Sequence, residues 1–335
     1  MGDQPSEEKR QNDKKPVNPA PVGVQPSTEN DLKSSNALPN SSDRKSSSKI
    51  GRGAAVPSKR KAATKDEPSK APRRSARGAQ SASTDPVKIL RFLLSPDAVD
   101  LCRPKDETED LKTRGSGIKT YSASTFTPFE ELISAVILSR PISHALGLRS
   151  IRTIFNEPWN FTTVKALQDA GSEGRRAALD EARTQHRQKT AEELGLLADA
   201  LVERLGDNED DVSMERIRRE SEYNAVKELE IIKSNVKGLG KTGIDIFHRR
   251  VQGVWPACYP FVDQKTSTSL EKLGLPGDAE GLKELVNQHW DELKVESIEA
   301  KDEEEKKRKA FVRLLERAVG ADLEGNIDDV KAQII

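Results

Sequence analysis

Apolar residues in this chain recur every three or four positions and nowhere alternate over a useful length. That period marks helices with one buried face, and it restricts the ordered part to an all-α fold, a compact multi-helix domain. The stretch around Gly238, Leu239 and Gly240 organises the rest. Before it, Val226, Leu229, Ile232 and Val236 line one helical face; after it, Ile244, Phe247 and Val251 line another. Two helices joined by so short a link form a hairpin. Gly238 and Gly240 are free to take positive φ and to let the backbone come close to another molecule. Leu239, between them, is expected to turn inward and pin the link. The second helix begins near Lys241 and Thr242 with unpaired N–H groups and a positive dipole end, an arrangement suited to phosphate.

Gly240, Lys241 and Thr242 also look like the end of a nucleotide-binding P-loop. That motif needs glycine at position 235, where this chain has Asn235. It also follows a buried strand, whereas a helical pattern precedes these residues. The plainer alternative is an ordinary helical turn that happens to hold two glycines.

No Phe, Tyr or Trp occurs before Phe92. Residues 1–84 are rich in Ser, Pro, Lys, Asn and Gln, too poor in large apolar groups to offset the entropy of ordering, and are expected to be a disordered tail. The tail holds 17 Lys and Arg against 9 Asp and Glu, so a chain of zero net charge is basic at its start. Lys59, Arg60 and Lys61, followed after a spacer by Arg73 and Arg74, look like a bipartite signal read by nuclear import receptors. The same residues would serve as a basic arm touching nucleic-acid phosphates without sequence preference.

Cys102 and Cys258 are the only cysteines, which excludes a disulfide scaffold and a four-cysteine metal or iron–sulfur site. His144, His186, His248 and His289 stand apart, and neither metal nor cofactor is expected. No apolar run is long enough to span a bilayer and none resembles a secretory signal, so a soluble, intracellular chain with no membrane partner is expected, acting as a monomer.

Residues 85–335 are enough to bury a real core. Order should begin at Asp85 and Pro86, with a second short helix after Ser95-Pro96-Asp97 and a loop over residues 102–120. Thr127-Pro128-Phe129-Glu130 is a strong helix start, in which Thr caps, Pro takes the first position and Glu completes a capping box. Pro141 ends or kinks that helix. Further helices are expected over residues 143–155, 163–170, 173–184, 189–205, 213–220 and 223–234, with an acidic loop at 206–211. Beyond the hairpin, 253–263 reads as an extended loop, 265–273 and 281–293 as helices, and 299–309 as a solvated charged face continued by Phe311, Leu314, Leu315 and Val319.

The hairpin with the loop that follows resembles the helix-hairpin-helix DNA glycosylase superfamily, in particular its endonuclease III-like members, over most of residues 125–275. Residues 127–139 look like an early core helix of those enzymes. Gly238-Leu239-Gly240 matches the hairpin. Gly253, Pro256, Pro260 and Val262-Asp263 look like the loop that carries a catalytic aspartate, with Asp263 placed 23 residues beyond Gly240. The resemblance implies double-stranded DNA as partner, and base excision by Asp263 as activity. Chemistry supports that choice. Cleaving a base from its sugar builds positive charge on the sugar, which a carboxylate stabilises while it orients a water. The plain role for Asp263 is to cap the helix after it. Trp255, Tyr259 and Phe261 would stack on the extruded base or else anchor the loop. Lys237, Lys241 and Lys265 would meet phosphate.

The chain departs from the family in three places. Lyase members carry a nucleophilic lysine two residues after the second hairpin glycine. That position is Thr242, and Lys241, one residue earlier, is rotated by about 100° around the helix. The four-cysteine cluster is missing. Pro141 stands where a gap-filling glutamine is found, which leaves Arg140 as the residue to fill the space of a flipped base. These features imply a monofunctional, nuclear DNA N-glycosylase of base-excision repair, or a non-catalytic helix-hairpin-helix DNA-binding protein.

Overall fold

The computed structural model describes residues 85–205 and 211–334, and every regular element among them is helical. The tail, with Lys59, Arg60, Lys61, Arg73 and Arg74, lies outside the described residues, as does nearly all of the acidic loop. No helix among the described residues is long and apolar enough to cross a membrane.

Most helices begin where a short polar side chain can satisfy their free N–H groups. In α1 (Pro86–Leu94) the Asp85 carboxylate accepts from Val87 N–H. A 3-10 turn, Pro96–Leu101, leads to α2 (Lys105–Arg114). The capping box of α3 (Pro128–Leu138) is complete, with Thr127 and Glu130 each bonding the other's backbone N–H. Ser143 caps α4 (His144–Ile154) and Thr163 caps α5 (Val164–Asp169). Then come α6 (Gly171–Glu181), α7 (Arg187–Leu205) and α8 (Glu215–Glu220). Asn224 caps α9 (Ala225–Asn235), and α10 (Lys241–Val251) follows. The last four are α11 (Gln264–Leu273), α12 (Ala279–Gln288), α13 (Glu303–Leu323) and α14 (Ile327–Ala332).

Two apolar cores organise these helices. The first is filled from the middle of the chain, with Phe129, Leu132 and Ile133 of α3, Ile151 of α4, Leu194 of α7 and Phe247 of α10 all fully buried. The second joins the two ends of the described chain: Ile89, Leu90 and Leu93 of α1 pack with Leu270 of α11, Leu282 of α12, and Phe311 and Leu314 of α13. Removing such side chains from water is the main term favouring the fold.

The loop expected over residues 102–120 contains a helix, α2. Its sequence, KDETEDLKTR, has no apolar stripe, and its one buried residue is Glu107. Charge holds it in place. Arg152 of α4, 1% exposed, reaches Asp106, Glu107 and Asp110 across the interface. Charged residues at 299–309 open α13, which Asp302 caps at Glu305.

Candidate active site

The hairpin forms as two helices around a tight link. Gly238 takes φ +84°, the left-handed region that favours glycine. Gly240 does not; its φ is −80°, open to any residue, and a Cβ there would meet nothing within 4 Å. Leu239 is 5% exposed and lies over Gly243, where a Cβ would run into it. This contact seats α10 against the end of α3, because the same Cβ would lie 3.3 Å from Ser139 Cβ.

Arg140 completes the link. Its Nε donates to Val136 O at 3.0 Å, one Nη donates to Gly238 O at 3.1 Å, and the other pairs with Glu193 at 2.8 Å. The family resemblance makes this side chain the candidate to fill the gap of a flipped base. It is instead nearly buried and braces the hairpin against α3 and α7.

Beside the hairpin opens a pocket of about 570 Å³. Leu138 and Ile142 from the α3–α4 corner, Thr242 and Ile246 of α10, Lys265 of α11 and Val319 of α13 line it, and Asp263 and Arg249 stand in its wall. The two residues that sequence reasoning set against each other are separated here. Thr242 faces the pocket. Lys241 does not line it; its side chain is 84% exposed and pairs with Asp245 on the next turn at 2.6 Å.

Asp263 is 7% exposed and caps α11. One oxygen accepts from the N–H groups of Lys265 (3.0 Å) and Thr266 (3.1 Å). The other accepts from Arg249 Nη1 at 2.8 Å and the Thr266 hydroxyl at 2.6 Å. Burial pushes its pKa up, but the Arg249 guanidinium and the Thr266 hydrogen bonds outweigh it and hold the carboxyl below its ordinary value, so it is ionised at neutral pH. Arg249 also donates to Glu316 of α13 at 2.7 Å. Two carboxylates thus share one guanidinium, which leaves one net negative charge in the pocket wall. Lys265, half-exposed at the rim, pairs with Asp322 at 2.6 Å, as does Lys272.

No family model, curated protein or solved structure matches this chain. What the site does is therefore read from its own geometry.

The three aromatic residues before Asp263 do not line the pocket. Trp255 is 1% exposed, edge-on to Phe247 in the first core. Tyr259 packs edge-on against Phe311 of the second core. Phe261 stacks flat on His248, ring centroids 3.7 Å apart. The loop between α10 and α11 runs from one core to the other and gives each an anchor, while the buried Gln252 amide bonds both backbone groups of Phe261. The aromatic residue that does line the pocket is Tyr121, ahead of α3, with Arg250 4.2 Å above its ring. Tyr121 belongs to no motif, and no signal in the sequence singles it out.

Proposed function

We propose that this protein is a monofunctional DNA N-glycosylase of base-excision repair, which draws a damaged or mismatched base out of duplex DNA into the pocket beside Asp263. The observation that carries the proposal is one juxtaposition: the open backbone at Gly240 and the N-terminus of α10 flank a pocket walled by an ionised, buried aspartate. A phosphate gripped at the hairpin holds the strand, and the pocket takes the nucleotide beside it. Gly240 has no internal reason to be glycine, which fits a close approach from outside.

Departure of the base leaves an electron-poor sugar. The net negative charge shared by Asp263, Arg249 and Glu316 sits in a wall removed from bulk water, where a fixed field acts strongly on developing charge. Asp263 has its oxygens engaged by four donors. Its role here is to stabilise the cation through space, with water entering on the opposite face of the sugar, rather than to strip a proton. Thr242 offers no amine, so no Schiff base forms and the strand is not cut. The same four hydrogen bonds favour the second reading, a binding module in which Asp263 is only a cap.

Single-turnover excision across a panel of duplexes bearing different damaged or mismatched bases separates the two. On a responsive duplex, Asp263→Asn is expected to slow excision by about 10²–10³-fold while DNA binding persists. Asn caps a helix about as well as Asp, so a cap alone predicts little change. Failure to excise from any duplex, with binding intact, makes the binding module the better reading. The nuclear setting rests on Lys59, Arg60, Lys61, Arg73 and Arg74; their replacement by Ala should leave a fluorescent fusion outside the nucleus.

A further inference from the structure

One polar group among the residues that line the pocket has no use in the fold. Tyr121 is 3% exposed, yet its hydroxyl meets no donor or acceptor among the described residues. A buried hydroxyl left without a partner is costly, and native structures keep few of them. Its ring is held firmly, edge-on to Phe126 and under the Arg250 guanidinium. Arg250 is itself fixed by both oxygens of Glu131, at 3.0 and 2.9 Å. The ring is therefore clamped while the hydroxyl it carries is left unused.

Its neighbours point the same way. Tyr121, His144 and Glu316 line both the large pocket and a small cavity of about 20 Å³ behind it, so they form the partition between the two. His144 Nδ1 is engaged by Glu324 at 2.8 Å. Glu316 gives one oxygen to Arg249, and the other accepts from no donor among the described residues. The partition thus holds a hydroxyl donor and a carboxylate acceptor side by side in the pocket lining. Burial keeps the Tyr121 proton in place far above neutral pH, so the group acts as a donor.

We infer that Tyr121 and Glu316 read the hydrogen-bonding edge of a neutral nucleobase, Tyr121 donating to a ring nitrogen or carbonyl oxygen and Glu316 accepting from an adjacent N–H. This rests on the glycosylase reading and narrows it to bases that present an acceptor beside an N–H donor. The hydroxyl is closed to water in the empty pocket, and the base edge supplies the partner it lacks. A site built to hydrogen-bond its ligand rejects an analogue that lacks those groups, because its own polar atoms are then stranded.

The test uses the full chain and its Tyr121→Phe variant. Both are titrated with duplexes identical except at one position. That position carries a tetrahydrofuran abasic site, a 2′-fluorinated (uncleavable) uracil, hypoxanthine or adenine nucleotide, or difluorotoluene, an apolar isostere of thymine. For the unaltered protein, at least one polar base should bind more tightly than the isostere by about tenfold. Tyr121→Phe should erase that preference and leave affinity for the abasic duplex unchanged. Its thermal midpoint should be equal or higher, since no hydrogen bond within the fold is lost. A preference that survives Tyr121→Phe overturns the inference, as does a variant that is less stable and weaker on every duplex alike. Tight abasic binding with no preference among bases overturns this inference and leaves the glycosylase reading standing. If the unaltered chain binds none of the duplexes, the glycosylase reading falls and this assignment with it.

Discussion

The middle of the chain and its two ends each close an apolar core, and beside the loop that anchors in both, buried ion pairs link the two. Within each core the contacts are among Phe, Leu, Ile and Val, side chains whose burial is favourable wherever they fit. Between them Arg249 pairs from α10 with Asp263 and with Glu316, and His144 of α4 shares a hydrogen bond with Glu324. Apolar contact fixes where helices lie. It creates no field. A seam of desolvated charge does, because ions in low dielectric act on one another and on a ligand far more strongly than in water. The pocket opens along this seam, where perturbed titration and concavity coincide, as at many functional sites.

The largest effect that tests this contrast is expected at Arg249. Arg249→Leu leaves Asp263 and Glu316 buried without their shared partner, and removing one side of such a cluster costs about 3–5 kcal/mol. Leu270→Met, a volume-conserving change in the second core, should cost less than about 1.5 kcal/mol. Urea denaturation of both variants gives the comparison, and equal costs would mean that the seam is no more demanding than the cores. The pH profile adds a sign. Asp263 is held below its ordinary value of 3.8, so its stabilising contribution is complete above that pH and is lost as pH falls through the lowered value. Without Arg249 burial dominates. The acid limb of excision should then move to higher pH in Arg249→Leu.

The same contrast explains what was legible in the sequence. Apolar periodicity and caps mark α1, α3, α4, α9 and α11, which start on Asp, Thr, Ser or Asn. Periodicity alone marks α10, which starts at Gly240 without a side-chain cap. Val226 of α9, 74% exposed, falls outside the buried face. Periodicity misses α2, which is docked by Arg152 on carboxylates and has no apolar face to repeat. The hairpin was legible from Gly238 and Leu239. The conformation of Gly240 was not, since φ −80° leaves no mark on residue choice. Of the two roles open to Trp255, Tyr259 and Phe261, stacking on a base or anchoring the loop, the structure shows the anchor. A 3-10 turn over Pro256–Cys258 separates Trp255 from Tyr259, so that the two rings enter different cores, while Phe261 stacks on His248. Tyr121 and Glu316 reach the pocket from far along the chain, through packing that no local pattern encodes.

A smaller effect is expected at the hairpin, which lies at the edge of the seam. Gly240→Val places a branched side chain where the protein leaves open space and φ is permitted, so folding should be unaffected. If DNA backbone approaches there, affinity should fall by about tenfold, equally for all sequences, since the contact is to phosphate. Fluorescence anisotropy on two unrelated duplexes measures it. Unchanged affinity would return Gly240 to an ordinary turn and leave the pocket without its strand grip.

The smallest effect should be at Lys241, and its direction is informative. This lysine pairs with Asp245 on the surface and stays out of the pocket, so its charge belongs to the solvent side of the seam. Exposed pairs of this kind contribute little to folding, and Lys241→Ala should leave the thermal midpoint where it is. DNA affinity should drop severalfold at low salt. The slope of log affinity against log salt should shrink by about 0.9, the loss of one phosphate contact. The rate of base excision at saturating protein should not change, because the residue that faces the pocket at this turn is Thr242. Borohydride should trap no covalent adduct from the unaltered protein, since Thr242 offers no amine and the lysine that lines the pocket, Lys265, is held at the rim by Asp322. A trapped adduct that disappears with Lys241→Ala would bring this lysine across the helix into the pocket, and would turn a water-using enzyme into a lyase.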